Sequence, residues 1–318
     1  MAERAALAAT IALALVLLAG RTIIRQLATM GARQPIREDA PERHRAKAGT
    51  PTLGGLLLIA AAILGTVIVA PPSLPVALAI LTMAGFGGIG LADDLLKVRR
   101  GQNLGLRARE RLALQTLLAA VIAVYVYVAL PEGATLLLPW VGRVNLGWVY
   151  IPFAVVFILG FVNAVNLSDG LDGLAAGLTA IAAGAYVAVA FRAGWPDVGL
   201  LGAGVAGAAV GFLWFNAHPA EVIMGDVGSN ALGAVLAAMA IVTKTELLLV
   251  VVGAVFVAEA VSVIAQVLYF KRTGGGRIFR MSPLHHHFEL SGWTEPQTVV
   301  RFWLLAVVAA LVGLMLLT

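Results

Sequence analysis

The sequence predicts an all-α integral membrane protein of ten transmembrane helices, with both termini outside, a small external β-hairpin, and polar motifs gathered on the cytoplasmic face. Three observations carry this. The 318 residues are 60% hydrophobic and 12% charged, which is not the composition of a water-soluble globule. Uncharged runs close to the ~20 residues that cross a hydrocarbon core recur along the chain. The basic residues fall between those runs, and they fall unevenly.

The first run, roughly 5–24, is followed rather than preceded by its basic residues Arg21 and Arg25, and no small-residue cleavage site precedes them. It is therefore expected to be a retained span rather than a signal peptide. From Ala48 to Ala92 there is no charge, and Pro71, Pro72 and Pro75 break that stretch into two spans. Further spans are expected at roughly 111–130, 149–165, 173–191, 198–216, 229–243, 246–270 and 299–317. Between Thr135 and Tyr150, β-prone residues flank Gly142, which predicts the hairpin. No fixed-period repeat or low-complexity linker interrupts the chain, so 1–318 reads as a single polytopic domain.

Ten spans separate the loops by charge. Arg21–Lys47, Lys97–Arg111 and Lys271–Arg301 hold 18 of the 22 Lys and Arg, leaving Arg4, Arg143, Arg192 and Lys244 on the other side. By the positive-inside rule the three basic loops are cytoplasmic. The net charge of +5 is thus a topological signal, and no nucleic-acid partner is expected. The absence of cysteine excludes a disulfide framework, a thiolate metal site and a cysteine nucleophile. Chemistry is left to carboxylates, His, Lys, Arg and hydroxyls.

Acidic residues near a membrane boundary are costly and mark functional candidates. Five cytoplasmic segments qualify. Lys47-Ala-Gly-Thr-Pro-Thr-Leu-Gly-Gly55 offers Lys47, Thr50 and Thr52 at a helix N-terminus, either as an anion site or as a capped helix start. Asp93 and Asp94 follow a charge-free span, with Lys97 one turn beyond; a solvated helix end explains them poorly, because acids there oppose the helix dipole. In Asn163–Gly173, Asn166, Asp169 and Asp172 recur every three residues, with Gly170 and Gly173 placed for close approach of a ligand. The Gly and terminal Glu spacing of a Ca²⁺ loop is absent. Asp226, between two glycines in Phe215–Ser229, suits either a hard-metal ligand beside phosphate oxygens or a helix N-cap. His285, His286 and His287 in Arg277–Glu289 are better suited to donating to phosphate oxygens than to one metal, since adjacent side chains seldom point at one centre. Within the ninth span, Glu259, Ser262 and Gln266 share a face, and Glu259 is either a proton site or a packing group. Together these describe a Mg²⁺-dependent site for a polyphosphorylated substrate. No Walker A or dinucleotide-binding sequence is present.

The motifs KAGTPTLGG, GLADDLLK, NAVNLSDGLDGLA, FNAHPAEVIMGDVGS and RIFRMSPLHHHFE, in this order over residues 34–302, resemble the polyprenyl-phosphate N-acetylhexosamine-1-phosphate transferases. The unbroken His285-His286-His287-Phe-Glu resembles the phospho-N-acetylmuramoyl-pentapeptide branch. The resemblance implies transfer of phospho-MurNAc-pentapeptide from its UDP donor to undecaprenyl phosphate, giving lipid I and UMP for peptidoglycan synthesis. It also implies a homodimer in the bacterial inner membrane, ten spans, Mg²⁺ and an active site facing the cytoplasm. Carried over by position, Asp226 matches the Mg²⁺-binding aspartate, Asp93 and Asp94 the catalytic pair, Lys47 and Thr52 the basic loop, and His285 to His287 the essential histidines. Asn166, Asp169, Gly170, Asp172, Asn216 and Gln266 match nucleoside-pocket and surrounding polar positions. Three positions depart from the pattern: Ile223 stands where many members carry an aromatic residue, Arg111 replaces a common lysine and Ala40 a common glycine. From the phosphate chemistry, Asp93 is expected to orient or deprotonate the lipid phosphate, supported by Asp94 and Lys97; a two-step route in which an aspartate attacks first and forms an acyl-phosphate is the alternative. The competing readings are an N-acetylglucosamine-1-phosphate transferase and, in a different class, a secondary transporter. Transporters place binding groups near the bilayer midplane, whereas these carboxylates sit at span ends on one face, which favours the enzyme.

Overall fold

The computed structural model describes residues 1–31, 49–100, 104–138 and 141–317. Its helices are α1 (Ala2–Thr29), α2 (Gly55–Val69), α3 (Leu74–Arg100), α4 (Ala108–Ala129), α5 (Tyr150–Ser168), α6 (Leu174–Arg192), α7 (Pro196–Asn216), α8 (Gly225–Thr243), α9 (Glu246–Val252), α10 (Ala254–Thr273), α11 (Leu284–Leu290) and α12 (Glu295–Met315). Between α4 and α5, β1 (Thr135–Leu138) and β2 (Gly142–Asn145) form the expected hairpin, antiparallel with Thr135 opposite Asn145 and Leu138 opposite Gly142.

Among the described residues, nine helices are long and apolar enough to cross a membrane. The chain is thus a multi-pass, mostly helical membrane protein. The expected tenth span is the 15-residue α2. At ~1.5 Å per residue it is roughly 22 Å long, short of a ~30 Å hydrocarbon core. It starts late because the preceding segment is drawn into backbone pairing with the α7–α8 loop: Ile223 N donates to Pro51 O at 2.8 Å, Gly54 N to Ile223 O at 3.0 Å and Gly55 N to Met224 O at 2.9 Å. The expected span 246–270 is also divided, at Gly253, into α9 and α10.

Sequence chemistry sets several helix ends. Pro196 occupies the first turn of α7, where its missing N–H costs nothing. At the start of α12, Thr294 and Gln297 form a reciprocal capping box, with Thr294 Oγ1 accepting from Gln297 N at 3.3 Å. Lys244, in the left-handed conformation with φ of 58°, closes α8.

The helix around which the bundle is built is α8. Its most apolar window is 89% buried, against 22% for α1, so α8 is surrounded by protein while α1 turns most of its surface outward. It packs chiefly against α3 and α5, with α2 alongside. Peripheral helices expose Leu18, Val128 and Met315, as lipid-facing surfaces do. Since lipid tails give no hydrophobic drive for helix association, close approach of backbones carries much of the packing. Gly55 lies against the backbone of Gly228, and Gly90 of α3 against the backbone of Asp226 and Val227. A Cβ at either position would overlap main-chain atoms that have nowhere to move. Gly90→Val is therefore expected to destabilise the bundle by about 1–3 kcal/mol through overpacking. A lower thermal unfolding midpoint in detergent checks this, and an unchanged midpoint overturns the close-contact account.

Candidate functional site

The end of α3, the end of α5 and the start of α8 converge, and the polar side chains of three sequence motifs meet there. Asp93 and Asp94 are almost fully buried. Contrary to the expectation that the span stops at them, α3 continues to Arg100, with Lys97, Arg99 and Arg100 in its last turn. Those cations satisfy the C-terminal dipole, and the acid pair is left inside the helix facing α8.

Asp226 sits in the first turn of α8 rather than at its N-cap, which is Met224. The carboxylate that serves the α8 N-terminus comes from α3: Asp94 Oδ2 accepts from Val227 N at 2.9 Å. Gly225, with φ of 75°, makes this possible, because a Cβ there would meet Asp94 Oδ2 at 2.6 Å and Thr52 Oγ1 at 3.0 Å. Asp93 is held from another side, its Oδ1 accepting from Leu106 N at 2.7 Å. The buried Thr52 is thus brought to the cluster by the pairing of residues 51–55 with 223–224.

Oxygens of Asp93, Asp94 and Asp226 all lie within 4.8 Å of one another. Lys97 Nζ stands among them, 2.5 Å from Asp93 Oδ2, 2.6 Å from Asp226 Oδ2 and 3.6 Å from Asp94 Oδ1. Arg111, at the start of α4, donates to Asp226 Oδ2 at 3.2 Å and to Asn166 Oδ1 at 2.8 Å. Asn166 in turn donates to Asp226 Oδ1 at 2.7 Å and to Ser229 Oγ at 2.8 Å. Three carboxylates against two fixed cations leave the cluster formally anionic. Its oxygen-only acidic donors are of the hard type that Mg²⁺ takes. The acidic groups can therefore hold a metal ion.

The histidines lie on the short α11 and diverge. His285 is fully buried, its Nδ1 3.2 Å from Glu259 Oε1, and its backbone N donates to the same oxygen at 3.2 Å. His286 Nδ1 lies 3.0 Å from Glu289 Oε2, and His287 Nδ1 accepts from Arg280 N at 3.1 Å. Gly170 packs against the His285 ring, where a Cβ would overlap Nε2. The last turn of α5 and the loop after it thus touch both groups, with Asn166 on Asp226 and Gly170 on His285 four residues later.

Other sequence candidates hold backbone. Asn216 accepts from Gly173 N at 3.1 Å and donates to Val222 O at 2.9 Å. Gln266 Oε1 accepts from Ile278 N and Phe279 N, each at 3.0 Å. Asp172 Oδ2 accepts from Ala220 N at 3.1 Å and lies 3.2 Å from His218 Nδ1, while Asp172 N donates to Glu295 Oε1 at 2.8 Å. Asp169 is half-buried at the C-cap of α5. Lys47 and Ala40 lie outside the described residues. Sequence reasoning passed over Arg111 and Ser229 as site members, along with the His218–Glu295 contact with Asp172. Arg111 was visible as a charge where a span begins and as a replacement for a common lysine, but its two partners are 55 and 115 residues away.

The glycosyl transferase family 4 model matches residues 76–244, which run from α3 through α8 and include all three clustered aspartates. Over 304 residues, 95% of each chain, the sequence is 47% identical to a phospho-N-acetylmuramoyl-pentapeptide-transferase of Moorella thermoacetica. It is 47% identical to that of Heliobacterium modesticaldum, covering 96% of this chain and 95% of the relative, and 42% identical to that of Rickettsia akari, covering 98% and 92%. Buried acids gathered between α3 and the start of α8, within a match of this extent, lead to one conclusion: the chain belongs to glycosyl transferase family 4, among the phospho-N-acetylmuramoyl-pentapeptide-transferases.

Proposed function

We propose that this protein transfers phospho-N-acetylmuramoyl-pentapeptide from its UDP donor to undecaprenyl phosphate, forming lipid I and UMP in peptidoglycan synthesis. The observation that carries the reading is the buried Asp93–Asp94–Asp226 cluster with Lys97 and Arg111, in a chain near-full-length similar to relatives of that name. An oxygen of the lipid phosphate attacks the sugar-bearing phosphorus of the donor. A P–O bond forms, the bond to the UMP oxygen breaks, and UMP leaves with the electron pair. One phosphoanhydride replaces another, so the step needs no ATP and runs backwards with UMP.

Phosphate monoesters have a second pKa near ~6, so the acceptor is already largely dianionic at neutral pH and needs no strong base. The burden falls on positioning and charge neutralisation. Mg²⁺ held by Asp226, with Asp93 and Asp94 beside it, would supply neutralisation of the diphosphate oxygens. Asp93, fixed through Leu106 N, orients the lipid phosphate or takes its remaining proton. Asp94 keeps the α8 N-terminus in place, and Lys97 and Arg111 offset carboxylate repulsion and present positive charge to the phosphates. The partly exposed His286 and His287 and the Asp169–Asp172 loop line the approach, the buried His285 packs against Gly170 of that loop, and Lys47 adds a cation from the basic loop. We further place ten spans in the bacterial inner membrane, as a homodimer, with both termini outside and the site on the cytoplasmic side. The 18-to-4 distribution of basic residues supports this orientation.

Three outcomes follow. Asp226→Asn, which keeps the shape and removes the charge, is expected to lower UMP release by ~10²-fold or more, a loss of the size seen when one electrostatic contact is removed. Near-normal turnover at ordinary Mg²⁺ overturns the ligand assignment. Arg111→Gln is expected to cost ~10-fold or more, because it strips charge-assisted bonds from Asp226 and Asn166 together. Arg111→Lys should recover only part of this, since one ammonium does not span both partners as the guanidinium fork does. For orientation, the cysteine-free chain allows a single Ser282→Cys, expected to be shielded from an impermeant thiol reagent in intact cells and labelled in inverted vesicles. Labelling in intact cells reverses the topology.

A further inference from the structure

Three of the four basic residues outside the basic loops converge at the end of the bundle remote from the aspartates. Arg143 of β2, Arg192 at the end of α6 and Lys244 at the end of α8 line one cavity of about 270 Å³, together with Thr245, Leu137 and Leu317. The 19-residue α8 separates this cavity from Asp226. At ~1.5 Å per residue that is roughly 28 Å, so the two lie at opposite edges of the hydrocarbon layer.

Lys244 is fixed there. It is buried, its Nζ donates to Gly133 O and to Tyr150 OH, each at 3.0 Å, and Tyr150 OH donates to Glu246 Oε1 at 2.6 Å. Burial pushes the Lys244 ammonium down to about 8, with Glu246 and Glu132 pulling the other way. Arg143 pairs with Glu132 from outside the cavity. Arg192 is exposed and, among the described residues, has no carboxylate partner. Compensation of the α6 and α8 dipoles accounts for a cation at each helix end, but not for a third arriving from a β-strand or for the open volume between them. Three cations against two carboxylates, with Leu137 and Leu317 as apolar walls, make a recess suited to a phosphate with hydrocarbon attached. Arginine forks favour phosphate oxygens, and phosphate is the anion found at headgroup depth.

We propose that this recess binds a phosphate group on the face opposite the aspartate cluster, drawn from a lipid phosphodiester headgroup or from free phosphate. The test uses the purified full-length protein in detergent, with dioctanoyl phosphatidylglycerol, inorganic phosphate and, as phosphate-free control, dioctanoylglycerol as probes. Titration is read by retained adducts in native mass spectrometry and by shifts of the unfolding midpoint. Phosphatidylglycerol is expected to bind and dioctanoylglycerol not, with Arg192→Gln weakening the former ~10-fold through loss of a charge-assisted pair. Binding of inorganic phosphate with the same Arg192 dependence identifies a soluble anion as the source. The variant should keep wild-type UMP release, which certifies its fold. Equal binding by wild type and Arg192→Gln, equal binding of dioctanoylglycerol, or binding of no phosphate probe overturns the proposal.

Discussion

Packing three carboxylates within 4.8 Å of one another between apolar helices is the constraint on which the site depends. Each buried charge loses its hydration, and like charges at this spacing repel, so the arrangement persists only if opposite charge is fixed beside it. Lys97 and Arg111 do this from different directions, one from the same helix as the acid pair and one from the next. Backbone N–H groups complete the balance, Leu106 on Asp93 and Val227 on Asp94. The second of these also joins α3 to the positive end of the α8 dipole. The close α3–α8 contact at Gly90 and the electrostatics of the cluster are therefore one feature: a wider separation would lengthen Asp94 to Val227 and Lys97 to Asp226 together.

The loops follow the same logic. The segment before α2 pairs with residues 223–224, so the turn carrying Asp226 is held by main-chain bonds independent of side-chain identity. At Ile223 both backbone groups are engaged in this pairing. Asn216 fastens the start of the Asp226 loop to the turn at Gly173, and Gln266 fastens the segment ahead of the histidines to α10. Polar residues in such an apolar chain are thus needed to satisfy main-chain groups as well, since an unpaired backbone group in this setting costs several kcal/mol.

What was legible in the sequence follows from that economy of charge. Asp93, Asp94 and Asp226 stood out because acids at the ends of uncharged runs need a reason, and the structure brings all three together. The hairpin was legible from β-prone residues around Gly142. Arg111 stood out only as a replacement for a common lysine; its partners were not legible, because they come from tertiary contact with Asp226 and Asn166. Likewise the break at Gly253 lies in a wholly apolar stretch where hydropathy has no contrast, and the shortness of α2 comes from pairing with residues about 170 positions away. The end of α3 was misplaced for a local reason: hydropathy stops the span at the acids, whereas the terminus is the one that Lys97, Arg99 and Arg100 occupy, in keeping with the dipole argument against an acidic helix end.

Glu259 was left open by sequence between proton site and packing group, and its surroundings bear on that choice. Its Oε1 receives both the backbone N and the Nδ1 edge of His285, so the carboxylate fixes the ring in position and in rotation. Facing a carboxylate oxygen, Nδ1 is the donor, and Nε2 is the nitrogen turned toward Gly170. Gly170 must lack a Cβ for that approach, and Asn166, one turn earlier on the same segment, is bonded to Asp226. A single stretch of backbone therefore relates the buried imidazole to the aspartate cluster. Of the three histidines, His285 is the one whose orientation is set by a group inside a span, so its geometry is tied to the packing of α10 rather than to the loop that carries it.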